Sequence, residues 1–213
     1  MYIPPAFAET RPETLFRMIE GQEFALLVSH GVDGLTASHL PFLVEPESGP
    51  QGTLLGHLAR ANPHARAIDD GTIGEAMVIF QGPHGYVSPR WYEVHPAVPT
   101  WNYTAVHVYG RPRVIREPAA LADIVDRLSR RYEGSAPDAW RMASLDEKFL
   151  AGMLKGIVGF AMPIERIEGK LKLSQNRKAV DRRQVIAALG GSARESDRDL
   201  AEAMQRFAPP PNE

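Results

Sequence analysis

A chain of 213 residues, 44% hydrophobic and 23% charged with a formal net charge of −2, can bury a substantial core and lacks the basic excess usual in nucleic-acid-binding domains. It contains no cysteine, which excludes disulfides, thiolate catalysis and Cys-ligated zinc or iron–sulfur centres. The start Met1-Tyr2-Ile3-Pro4-Pro5 shows no secretory pattern, and no run approaches the ~18 apolar residues that span a bilayer, so a cytoplasmic protein without a membrane segment is expected.

Thr10-Arg11-Pro12-Glu13 has the form of a capping box and predicts a helix through Leu15, Met18 and Ile19 that stops near Gly21. Phe24 to Ser29, the turn cluster Gly31-Val32-Asp33-Gly34, and Leu35 to Val44 predict a hairpin. After a polar loop, Thr53 to Leu58 is strand-like and runs into a short helix over Ala59 to Ile68. Ala76 to Gln81 is a third apolar strand, followed by a turn-rich loop. Trp101 to Tyr109 and Arg111 to Ile115 predict a hairpin bent at Gly110. Glu117-Pro118 opens an amphipathic helix with Leu121, Ile124, Val125 and Leu128 at i, i+3, i+4 and i+7, and a second helical stretch covers Leu145 to Leu154. Strand texture returns at Ile157 to Ile167, with Gly169-Lys170 as a turn before Leu171 to Leu173. The tail from Asp181 to Phe207 is helical, broken at Gly190-Gly191, and ends in a frayed Pro-Pro-Pro-Asn-Glu.

Strands and helices do not alternate as βαβ units. The pattern predicts a mainly β, α+β fold: an antiparallel barrel or sandwich with peripheral helices. The expected organisation is a domain over residues 1–177 with a helical insert near 117–155, then a helical tail over 178–213.

Four segments carry candidate chemistry. Ser38-His39-Leu40-Pro41 places two polar residues and a proline where an interior strand seldom has them, although an edge strand with a solvated face reads the same way. Gly56-His57-Leu58-Ala59-Arg60-Ala61-Asn62-Pro63-His64 sets cations at a strand-to-helix corner, where free amides and the helix dipole favour an anion and Arg60 offers bidentate geometry. If the helix has begun by His57, then His57 and Arg60 share a face; the alternative is Asn62 capping a helix whose first residue is Pro63. Gln81 to Tyr92 and Val98 to Tyr103 supply aromatic surface, with Trp101 and Tyr103 on one strand face, suited to a flat ligand or to an aromatic cluster in the core. Lys172, Ser174 and Asn176 alternate onto one face if Lys170 to Arg177 is a strand, and Gln175 adds a donor and an acceptor; a polar strand end followed by a turn is the plainer alternative.

These segments occur in an order that resembles the PaiB-like family of FMN-binding negative transcriptional regulators. The carriers are Ser38 to Phe42, Gly56 to Pro63, Gly82 to Pro89, Pro99 to Tyr103 and Lys172 to Arg177, together with the opening Met1 to Phe7. Arg90 departs from the small or polar residue expected at its position. The resemblance implies an FMN-binding split β-barrel related to pyridoxamine-phosphate oxidases, a homodimer with FMN between subunits. It implies cofactor contacts from Ser38, His39, His57, Arg60, Asn62, Trp101, Tyr103, Lys172, Ser174 and Gln175, with no metal site.

The family label implies a negative regulator, of protease production and sporulation, working as a flavin-dependent sensor. An FMN-dependent oxidoreductase acting on a small molecule and a haem-binding or haem-degrading barrel are the alternatives, since flavin chemistry resides in the ring and seven histidines are available. No helix-turn-helix pattern is visible, and the arginines that would offer DNA a basic edge, Arg127, Arg130 and Arg131, also read as a solvated helix face.

Overall fold

The computed structural model describes residues 1–22, 24–32 and 34–207. Asp33 of the expected turn and the expected frayed Pro-Pro-Pro-Asn-Glu end lie outside the described residues.

A short 3-10 turn, Pro5–Phe7, and the two-residue strand β1, Ala8–Glu9, precede α1, Pro12–Glu20. The expected capping box does not form. Arg11 occupies the cap position without a side-chain bond, and the Glu9 carboxylate accepts from the Arg11 backbone N–H at 2.9 Å and its Nε–H at 3.0 Å. The guanidinium of Arg11 thereby holds the Glu9 carboxyl below its usual range. Pro12 needs no hydrogen bond at the first helical position, and Leu15, Met18 and Ile19 form the buried face, as their spacing predicts.

The strands β2, Ala25–Gly31, and β3, Gly34–Leu40, form the predicted hairpin, with pairs running from Ala25↔Leu40 to Gly31↔Gly34. Pro41 carries no N–H for a ladder, and the chain leaves the strand there. It resumes as β4, Leu43–Glu45, which pairs with β5, Thr53–Ala59, instead of continuing the hairpin. The short helix α2 is Pro63–Asp69, and β6 is Ala76–Val87. The strands β7, Thr100–Gly110, and β8, Arg113–Ile115, are not a hairpin: β8 pairs with β9, Ile157–Lys172. Between β8 and β9 lie α3, Pro118–Glu133, and α4, Glu147–Leu154; α5, Ala179–Gly190, and α6, Glu195–Phe207, close the described chain.

Among the described residues the result is a mainly antiparallel nine-stranded sheet with six α-helices, the strands following the order β3-β2-β6-β7-β9-β5-β4, with β1 and β8 also on β9. Two strands are longer than the sequence suggests. β6 runs on through Gly82-Pro83-His84-Gly85, and β9 runs through Gly169-Lys170.

The chain divides into two compact units. The central unit comprises Gln22–Phe80 and His107–Ile167. Its core includes Phe42 edge-on to both Phe80 and Phe160, and a cluster of Leu43, Leu55, Ile124 and Leu128 that lays α3 against the sheet. Phe80 and Phe160 are essentially inaccessible, and each contributes about 2–3 kcal/mol by burial. Gly56 leaves room for that packing, since a Cβ there would lie 2.9 Å from the Phe160 ring.

The terminal unit comprises Met1–Gly21, Gln81–Val106 and the chain from Glu168 onward. Val185 and Leu189 of α5 and Leu200 and Met204 of α6 are fully buried. The buried Asp181 carboxylate accepts from the backbone N–H groups of Glu93 (2.8 Å) and Val94 (3.1 Å), tying α5 to that loop.

Candidate functional site

The corner between β5 and α2 is built differently from a helix starting at Ala59. β5 holds strand geometry through Ala59, and Asn62 is the cap: its Oδ1 accepts from the His64 backbone N–H at 2.9 Å, with Pro63 first in the helix. His57 is therefore on a strand, paired with Gly159, and Arg60 lies in the turn, so the two do not share a helical face. The turn is closed by the Asn62 N–H donating to the Ala59 carbonyl at 2.9 Å.

Arg60 is anchored along the junction that follows α4. Its backbone N–H donates to the Gly156 carbonyl (2.8 Å), its Nε–H to the Lys155 carbonyl (2.8 Å) and its Nη2 to the Ile157 carbonyl (2.9 Å). A guanidinium has five N–H donors, so the edge formed by Nη1 and the second Nη2 hydrogen is left for another acceptor. That side chain lines a cavity of about 380 Å³. The walls are apolar (Val114, Ile115, Leu121, Leu154, Ile157 and Val158), and charged groups surround them: Arg60, Arg116 and Lys155 against Asp69 and Glu117. Arg116 is committed to Asp69 at 2.7 Å.

Behind the corner, Ser38 and Asn62 point inward. The buried Ser38 hydroxyl accepts from Asn62 Nδ2 at 3.3 Å and bonds His64 Nδ1 at 3.0 Å. His39, on the opposite face of β3, is exposed and stacks on Phe24 with ring centroids 6.1 Å apart. His57 is half-buried, its Nδ1 is buried without a hydrogen-bond partner, and burial lowers its pKa.

The other candidates belong to the terminal unit. Trp101 is 55% exposed and meets Tyr86 edge-on at 6.1 Å. Tyr103, on the same strand face, lies 5.0 Å from the buried ammonium of Lys170. Lys172 Nζ donates to Thr100 Oγ1 and to the Trp101 carbonyl, both at 2.5 Å, and burial, aided by the neighbouring Lys170 charge, lowers its pKa. The strand ends at Lys172, so Ser174 and Asn176 do not continue its alternation. Ser174 is buried with φ at +63° and accepts from Asn102 Nδ2 at 2.8 Å; the Gln175 side chain bonds back to Leu173 N–H and the Leu171 carbonyl. Arg90 folds back on its own turn, its Nε donating to Ser88 Oγ at 3.3 Å. The candidates thus form two groups, five residues in each unit.

Of the α3 arginines, Arg127 bonds Glu45 (2.7 Å) and Asp123 (3.1 Å), and Arg130 bonds Asp126 (2.5 Å), so both carry their own counter-ions. Among the described residues no helix is long and apolar enough to cross a membrane.

Two solved structures that share this arrangement are flavoproteins. The flavocytochrome Anf3 from Azotobacter vinelandii superposes with a TM-score of 0.60 at 13% identity, covering 78% of this chain and 69% of that one. The FAD and heme binding protein from Mycobacterium smegmatis superposes at 0.58 with 21% identity, covering 87% and 80%. The fold is the split β-barrel of those flavoproteins. In sequence, a family model described as "Putative FMN-binding domain" matches residues 1–166, and "Protease synthase and sporulation protein PAI 2" of Bacillus subtilis is 35% identical over 205 residues, 96% of this chain and 97% of that protein. The chain belongs to this FMN-binding family, with the PaiB proteins.

The residues present suit FMN. A ribityl phosphate needs a cation with free donors, which Arg60 has, and a flavin needs apolar room, which the adjoining cavity has within the ordinary range of ligand sites, about 300–1,000 Å³. His64 is the residue that the sequence marks least. Its place at the end of the Gly56 to His64 segment reads as a possible third cation at the corner, whereas it is fully buried and bonded through both ring nitrogens. Only the adjacency of Ser38, Asn62 and His64 in space shows its role, and no spacing in the sequence encodes that.

Proposed function

We propose that this protein is a flavin-dependent sensor in negative gene regulation, with FMN bound between two copies of the chain; the name of its Bacillus subtilis relative, "Protease synthase and sporulation protein PAI 2", points to protease production and sporulation as the processes regulated. FMN supplies a redox-active ring when bound. The chain supplies the hold and the setting. Arg60 receives the phosphate on its uncommitted N–H edge, and the apolar cavity walls keep water from the adjoining part of the ligand. Trp101 and Tyr103 offer flat surface, and Lys172 offers a cation beside it. The observation that carries this reading is the Arg60 side chain, fixed by two backbone carbonyls at the cavity with donors to spare.

The test is a titration of the purified protein with FMN, followed by quenching of flavin fluorescence and by size. Saturable quenching at micromolar FMN together with a two-chain species supports the reading. No retention at that concentration sinks it.

A further inference from the structure

The imidazole of His64 is fully inaccessible, yet it is hydrogen-bonded at both nitrogens. Nδ1 meets Ser38 Oγ at 3.0 Å and Nε2 meets Ser29 Oγ at 2.9 Å. In the β2–β3 hairpin, Leu27 faces Ser38, so Ser29 lies diagonally from Ser38 on the same face, and the ring spans that diagonal. The fourth member is Asn62, whose Nδ2 donates to Ser38 Oγ at 3.3 Å while its Oδ1 accepts from the His64 backbone N–H. A closed loop therefore joins β2, β3 and the first turn of α2.

A neutral imidazole satisfies the whole set in either tautomer: Asn62 donates to Ser38, and one ring nitrogen donates to its serine while the other accepts from its own, since each hydroxyl can do both. Burial favours that same form.

Resting on the reading of Arg60 as the phosphate ligand, we infer that His64 is the positioning residue for the anion-binding turn. The turn from Ala59 to Asn62 has two anchors. At Arg60 it is fastened to Gly156, Lys155 and Ile157, and at Asn62 it is fastened through Ser38 to His64. Fixing both ends sets the direction of the free guanidinium edge. Without His64 the Ser38 hydroxyl that receives Asn62 loses its own fixed partner, the turn is held less firmly at that end, and Arg60 must be ordered when phosphate arrives. His64 itself cannot touch a ligand, so any effect it has on binding passes through the turn.

The experiment compares FMN and riboflavin affinity in the full chain for four variants. His64→Leu removes both ring bonds while filling the space; Ser29→Ala removes the far bond alone; Ser38→Thr keeps the hydroxyl; Arg60→Ala serves as the reference for phosphate contact. We expect His64→Leu to raise the FMN Kd about tenfold, the scale of one hydrogen bond to a charged group, with riboflavin changed far less. Ser29→Ala should move in the same direction by a smaller factor, and Ser38→Thr should keep FMN affinity. Equal losses for both ligands in His64→Leu, or an unchanged FMN-to-riboflavin ratio in His64→Leu and Ser29→Ala while Arg60→Ala collapses it, overturn the inference. If His64→Leu does not fold, Ser29→Ala decides alone. An unchanged ratio in Arg60→Ala refutes the phosphate assignment itself, a failure distinct from that of His64.

Discussion

Arg60 donates its Nε–H to the carbonyl of Lys155 at 2.8 Å, joining the β5–α2 turn to the residue that caps the end of a helix, 95 positions further along the chain. Lys155 is the C-cap of α4, a helix with no fully buried residue and with Phe149 and Met153 more than half exposed. Its N-terminus is held by Asp146, whose Oδ1 accepts from the Phe149 N–H at 3.0 Å. The C-terminal end faces the Arg60 cation, which also suits the helix dipole. Arg60→Ala should therefore fray α4 without any ligand present, and amide exchange over residues 151–155 should speed up about fivefold, the scale of one modest hydrogen bond. Hydrogen-exchange mass spectrometry reads this directly. Unchanged exchange would show that α4 is held from elsewhere.

The same side chain is the proposed phosphate ligand, and two ligands that differ by a phosphate test it. Arg60→Ala should weaken FMN more than riboflavin. Arg60→Lys should fall between wild type and Arg60→Ala, because an ammonium lacks the planar fork that sets one edge on two carbonyls and turns the other to a phosphate. An equal loss of both ligands in Arg60→Ala would remove the phosphate from this corner.

Two histidines make the fold sensitive to mild acid. Burial lowers the pKa of both His57 and His64 below the ordinary 6.5. The unfolded chain takes up protons near that value while the folded chain does not. The stability they support is therefore fully present above about pH 6.5 and is lost as pH falls through the lower folded values. Glu9 acts elsewhere on the scale: its carboxyl is held below 4.5, so its contribution fades only under stronger acid. Thermal unfolding between about pH 7.5 and 5.5 should show a falling Tm, and His57→Gln should flatten the slope. A slope identical in His57→Gln would mean that His57 is already solvated when folded.

Helices and paired apolar strands were legible because periodicity encodes one buried face, as in α1 with Leu15, Met18 and Ile19. Glycines misled in both long strands. Gly169 reads as a turn, yet it keeps β9 extended beneath Leu15, where a Cβ would lie 2.2 Å from Leu15 Cδ2. Gly85 plays the same part in β6 against Leu200, at 2.9 Å. A glycine that permits close approach and one that permits a turn look alike until the neighbour is known. In the site, the polar residues of the corner were visible by type. Their direction was not: Ser38 and Asn62 turn inward to His64, and that depends on the hairpin register rather than on local sequence.

Lys172 tests the ring's surroundings. Its ammonium is held between Thr100 Oγ1 and the Trp101 carbonyl, with the Lys170 charge nearby. A cation beside a flavin favours the reduced, more negative ring. Lys172→Met should make the reduction potential of bound FMN more negative, followed by dye-coupled spectrophotometric titration. A potential unmoved with FMN still bound would place Lys172 away from the ring.

Gly110 closes β7, where backbone passes close to backbone. A Cβ at that position would lie 2.2 Å from the Pro163 carbonyl oxygen and 3.0 Å from Met162 Cγ. The carbonyl belongs to the interior of β9, and Met162 is fully buried, so neither can withdraw cheaply. Gly110→Ala must therefore push the two strands apart, and a well-packed core resists such insertion at a cost of about 1–3 kcal/mol. Gly152, by contrast, has open space around its Cβ position and sits inside α4, where alanine is the better helix former by about 1 kcal/mol. Urea unfolding should accordingly give opposite signs, a lower midpoint for Gly110→Ala and an equal or higher one for Gly152→Ala. A neutral Gly110→Ala would mean that β7 and β9 can separate there without loss, and the close crossing would then be a tolerance of the sheet, not a requirement for it.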